Sequence, residues 1–128
     1  MIYIITWNIL IFIEHIPLFE GFQVSKADEI INQMARRITE IFQPEKIILF
    51  GSRARHEDVS DSDVDLLVIV KEVSDRRALR IAIRRAVNGM GLPKDIIVLT
   101  TNEFETKRNI PGTIAYPADR EGKALYAV

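Results

Sequence analysis

The chain has 128 residues, 48% of them hydrophobic, with a formal net charge of −1 and no cysteine. That length supplies one two-layer core but not a catalytic domain plus a separate acceptor domain. The near-neutral balance excludes a global pull toward nucleic acid or membrane, and the missing thiols exclude disulfides, thiolate catalysis and cysteine zinc sites.

The chain begins "MIYIITWNILIFI", apolar apart from Thr6 and Asn8, and then meets Glu14 and His15. The run is shorter than the roughly 20 residues that span a bilayer. It lacks a preceding Lys or Arg and a small-residue cleavage site, so it makes a poor signal peptide. Residues 1–23 are therefore set apart as an apolar N-terminal extension of uncertain role. It is expected to be an extra strand or helix on the core, or an artefact of the start site, with an interfacial anchor as a further reading. Translation beginning at Val24 is one hypothesis, because the ordered pattern starts there; the intact mass of the native protein decides it. No membrane span is expected, and the absence of cysteine fits a cytoplasmic protein.

Ser25 and Asp28 form a capping-box-like pair that opens a helix. Ala27, Ile30, Ile31, Met34, Ile38, Ile41 and Phe42 recur at helical spacing, leaving Arg36, Arg37 and Glu40 outward, and Pro44 stops the helix. "KIILF" (residues 46–50) and "LLVIV" (residues 66–70) read as buried strands, central or covered on both faces. Ser74 is expected to cap a second helix over about 75–88, with Leu79, Ile83, Ala86 or Val87, and Met90 inward and Gly89 as its C′ residue. Its five arginines (Arg76, Arg77, Arg80, Arg84 and Arg85) form a solvated face or, more sharply, a docking surface for an acidic partner or RNA. "DIIVL" (residues 95–99) is a third strand. Thr100 or Thr101 caps a short helix to Lys107, residues 111–120 are helical despite Pro117, and "KALYAV" is a last strand. The order α-β-loop-β-α-β-α-α-β implies an α+β domain with a small mixed sheet flanked by helices.

The chemistry gathers in "GSRARHEDVSDSDVD" (residues 51–65). Asp63 and Asp65 sit two apart at a strand entry, so both carboxylates point to one face. At a separation of about 6 Å and an effective dielectric near 20, their repulsion is about 3 kcal/mol. Asp58 and Asp61 add to it. A divalent cation removes the conflict, and oxygen-only ligands favour Mg²⁺ or Mn²⁺ over zinc. Asp95 opens "DIIVL"; if that strand lies beside "LLVIV", it is the third carboxylate, and three can hold two metals for an in-line phosphoryl or nucleotidyl displacement. Gly51 and Ser52 can offer backbone amides and a hydroxyl to phosphate oxygens, and a helix beginning there would add its N-terminus. Arg53 and Arg55 suit a triphosphate tail.

Each part has a plainer reading. A Gly-Ser pair alone is a common strand-ending turn, an Asp-x-Asp pair alone a solvated loop, and His56 an exposed loop histidine rather than a metal ligand. Asp61, Asp63, Asp65 and Glu72 also match positions 1, 3, 5 and 12 of a calcium-binding helix-loop-helix loop. That reading puts Leu66 where glycine is needed and an apolar strand inside the loop.

Taken together, "GS", ten residues and "DVD" resemble the signature of the minimal nucleotidyltransferases of the DNA polymerase beta-like superfamily. "PEKIILFGSRAR", "SDSDVDLLVIV", "DIIVLT", "IPGTIAY" and "REGKALY" agree with it. The resemblance covers residues 24–128. It implies a mixed sheet flanked by helices with an active site at one sheet edge, and nucleotidyl transfer from a nucleoside triphosphate, usually ATP, with two Mg²⁺. Asp63 and Asp65 would bind both metals, and Asp95 would hold the catalytic metal and help deprotonate the acceptor hydroxyl. Gly51 and Ser52 would hold the phosphates of the leaving pyrophosphate. His56 departs from the family's frequent glycine and stiffens the loop.

Many members of this group pair with a HEPN-domain RNase toxin and, as antitoxins, silence it by attaching AMP to a tyrosine. The resemblance thus implies Mg²⁺-dependent transfer of AMP to a protein hydroxyl, with a HEPN toxin as partner and homo- or hetero-oligomers open. Two alternatives remain: a binding antitoxin that occludes the toxin without catalysis, and a transferase acting on a small molecule of the aminoglycoside type. A nucleic-acid polymerase is disfavoured, because fingers-like domains and a basic groove are missing.

Overall fold

The computed structural model describes residues 25–55 and 63–128. Eight elements follow one another in the expected order: α1 (Lys26–Phe42), β1 (Lys46–Phe50), β2 (Val64–Val70), α2 (Arg76–Ala86), β3 (Lys94–Thr100), α3 (Thr101–Lys107), α4 (Ala115–Glu121) and β4 (Lys123–Ala127). The strands lie in the order β3-β2-β1-β4. β1 runs antiparallel to both β2 and β4, while β2 and β3 are parallel. A parallel pair needs a crossover, and α2 is that crossover. The two most apolar runs are the two central strands, as their lack of alternation implies.

The helices divide between the two faces of the sheet. On one face Met34 and Ile38 of α1 and Ile83 of α2, with Val87 just beyond it, close over Leu49, Leu66, Val68 and Ile96. On the other, Phe104 of α3 and Ala115 and Ala118 of α4 pack on Ile48, Phe50, Leu67, Ile69 and Leu99. Each fully buried aliphatic side chain contributes about 1.5–3 kcal/mol, so both faces are needed for a chain this short.

The helix ends follow local chemistry. Ser25 Oγ accepts from the Asp28 N–H at 3.0 Å. Pro44 bars its predecessor from the helical region, and Gln43 ends α1 in the left-handed conformation at φ 49°. Arg37, expected to point only into solvent, donates from Nε to the Ala86 carbonyl at 2.6 Å and so satisfies an orphan acceptor at the end of α2. Two expectations are corrected. Asp75, not Ser74, caps α2: its Oδ1 accepts from the Ala78 N–H at 3.0 Å, and its charge suits the positive end of the helix. Residues 111–120 are not one helix. Turns lead to α4, which starts at Ala115 and places Pro117 third, where a helix needs no N–H partner. No helix among the described residues is long and apolar enough to cross a membrane. The N-terminal extension, with His15, lies outside the described residues, as do His56, Glu57, Asp58 and Asp61.

Candidate active site

The strand register assembles the acidic row. Asp65, second residue of β2, stands opposite Phe50 of β1 on one side and Asp95 of β3 on the other. Side chains alternate along a strand, so Asp65 shares its face with Leu67 and Ile69, the face covered further along by α3 and α4. Asp63, two residues earlier, falls on the same side. Beyond the helices that side is open: Asp63 and Asp95 are exposed and Asp65 is half-buried.

Asp65 responds to these neighbours. Burial holds its carboxyl above the usual carboxylate range, and the charges of Asp95 and then Asp63 push the same way. Asp63 and Asp95 therefore lie close enough to act on Asp65. They are not drawn into a cage: among the described residues, no three acidic or histidine side chains are gathered tightly enough to enclose an ion. The donors fit a hard divalent cation in kind, being oxygen only and already in conflict.

Gly51 closes the row from the β1 side. It follows Phe50 directly and turns at φ +79°, a region that disfavours any side chain. A Cβ built there would overlap Asp65 Oδ2 and lie 3.2 Å from its Cγ. In the described structure this glycine lets the chain turn tightly against the Asp65 carboxylate. Sequence reasoning missed this contact, because it depends on the β1–β2 register. Beyond Gly51 the chain forms hydrogen-bonded turns rather than a helix: the Ala54 N–H donates to the Gly51 carbonyl at 3.1 Å and the Arg55 N–H to that of Ser52 at 3.1 Å. The conditional helix N-terminus is therefore not present among the described residues. Ser52 and Arg53 are half-buried in this turn, and Arg55 reaches Glu121 of α4 at 3.5 Å. The calcium-loop reading fails, because Leu66 to Val70 are strand residues, all buried.

A family model described as a nucleotidyltransferase domain matches residues 31–116. No curated protein matches the chain. Among solved structures, a mutant of the toxin-antitoxin MntA-HpeT is similar at 19% identity and TM-score 0.51, over 76% of this chain and 73% of that one. The Shewanella oneidensis complex of a tri-AMPylated HEPN toxin with MNT antitoxin is similar at 19% identity and TM-score 0.48, over 78% and 71%. A nucleotidyltransferase assigned from Sulfolobus solfataricus reaches 26% identity and TM-score 0.49, over 61% and 70%. The first of these likenesses agrees with the α+β arrangement of a small mixed sheet and flanking helices.

Proposed function

The chain belongs to the nucleotidyltransferase domain family, and from that premise we propose that it transfers AMP from ATP to a hydroxyl of a protein acceptor. The single observation that carries the reading is the rung that sets Asp65 beside Asp95, two residues after Asp63 and against the Gly51–Ser52 turn. A nucleotidyl transfer needs hard anionic ligands for a cation at the α-phosphate and amide donors at the departing phosphates. The acceptor oxygen attacks the α-phosphorus, the bond to the bridging oxygen breaks and pyrophosphate leaves. The hydroxyl proton passes to Asp95. Asp63, Asp65 and Asp95 would hold Mg²⁺, or Mn²⁺, which when bound neutralises charge on the reacting phosphate. Gly51 and Ser52 orient the β- and γ-phosphates, and Arg53 and Arg55 flank them.

The proposed acceptor is a HEPN-type toxin, which makes this chain the antitoxin of a pair. Support comes from the motif resemblance and from the fold shared with a toxin-antitoxin structure. The test is intact-mass spectrometry of the co-expressed HEPN protein after incubation with ATP and Mg²⁺. The expected result is a gain of one or more AMP units that Asp63→Asn/Asp65→Asn abolishes. A stable complex with no gain for either protein would point to neutralisation by binding alone.

A further inference from the structure

A groove of about 600 Å³ runs along the outer side of β3, lined by Arg76, Arg77 and Arg80 of α2 and by every residue from Asp95 to Leu99. Successive strand residues point to opposite faces, so one groove can touch all five only at the strand's edge. β3 is an edge strand, with β2 on one side and no other strand beyond it among the described residues. An unpaired edge offers a row of N–H and C=O groups to any extended chain.

The arginines give the groove a sign. Arg76 is bound to Glu103 of α3 at 2.8 Å. Arg77 and Arg80 are exposed, and among the described residues neither has an acidic partner. Because Glu103 belongs to the helix that follows β3, the Arg76 end of α2 lies at the far end of β3 from Asp95. α2 returns antiparallel to the strand, so Arg80 lies about one helical turn nearer the acidic row.

We infer that this edge, with Arg77 and Arg80, docks an extended acidic segment of the acceptor protein. The segment pairs with β3 as an added strand and lays its hydroxyl residue beside Asp95. This rests on the proposed transfer to a protein hydroxyl and names how that protein is held. Main-chain pairing supplies the grip and the arginines choose acidic side chains. The strand from Asp95 to Leu99 spans about 13 Å. With Arg80 one helical turn nearer than the Arg76 end, acidic residues of the acceptor segment therefore belong about two to four residues from the hydroxyl, on one side only. RNA fits less well, because the groove ends on the carboxylate row.

The test passes a random peptide library, each peptide with one fixed Tyr, Ser or Thr, over the immobilised full chain with ATP and Mg²⁺. Retained peptides are sequenced and weighed. The expected result is enrichment of Asp and Glu about two to four positions to one side of the hydroxyl. Retention should fall about tenfold or more in Arg77→Glu/Arg80→Glu and stay near wild type in Arg84→Glu/Arg85→Glu, an equal charge change on the same helix outside the groove. Backbone N-methylation of a selected peptide at alternate residues should abolish retention in one register and spare it in the other. No acidic enrichment, equal loss in both reversals, or indifference to N-methylation overturns the docking surface. Retention of a poly(U) probe through Arg77 and Arg80 without peptide preference assigns the surface to RNA and also overturns it. Edge-bound peptides that never gain AMP leave the docking surface standing and remove the proposed chemistry.

Discussion

Three influences push Asp65 the same way: burial, then Asp95, then Asp63. Its folded-state proton affinity is raised, so the metal-free fold binds that proton more tightly than the unfolded chain does. The contribution of Asp65 to stability is therefore fully present below the usual carboxylate pKa and is lost as pH rises through the folded value. Asp65→Asn should flatten that decline and modestly raise the thermal midpoint of the metal-free protein near neutrality. If the row holds Mg²⁺ as proposed, the wild type should gain a further rise with Mg²⁺ that the variant lacks. Thermal melts from pH 4 to pH 8, with Mg²⁺ and with chelator, check both; an unchanged pH slope in the variant would contradict the account. The carboxylates were legible because their spacing, two apart at a strand entry, is local. The overlap that makes Gly51 obligatory against Asp65 was not, since it arises only once two strands pair.

At the level of single elements, α3 shows how strongly end chemistry acts on a short helix. Thr100 Oγ1 accepts from the Glu103 N–H at 3.1 Å, while Glu103 Oε1 accepts from the Thr100 N–H at 2.8 Å. The Thr100 backbone, then the Arg76 guanidinium, holds Glu103 below the usual carboxylate range. A depressed pKa stabilises above the unfolded value and ceases to as pH falls through the folded one. Thr100→Ala should cost about 1 kcal/mol at pH 7. The cost of Glu103→Ala should be present at pH 7 and vanish in acid, which urea melts at the two pH values would show. Elements with strong periodicity or plain caps, such as α1 and α3, were readable in advance. The two misread helix starts had competing signals: adjacent Ser74 and Asp75 both suit a cap, and Pro111 and Pro117 can each begin a helix.

For the whole molecule, the sheet is a wall between two unequal packings, and the acidic row lies where one of them runs out. Helices α1 and α2 cover one face over the length of the strands, whereas α3 and α4 leave the Asp65 rung open. Element order revealed the mixed sheet; it could not reveal which face carries the row, because that depends on pairing between distant strands. The parallel rung has one more consequence, in time rather than in space. Gly51 and Asp65 are joined by an antiparallel pairing whose connection in sequence is shorter than the α2 crossover to β3. Asp95 can reach its place only after the chain has travelled through α2 and come back. Closing the longer loop costs more entropy, and such contacts form late. The half of the row that would hold phosphates should thus be assembled before the carboxylate that would accept the proton. Pulsed hydrogen exchange during refolding should find β1 and β2 amides protected ahead of those of β3; simultaneous protection would mean that the sheet closes in one step. A nascent or partly unfolded chain would then have a place for a nucleotide before it has any means of spending it.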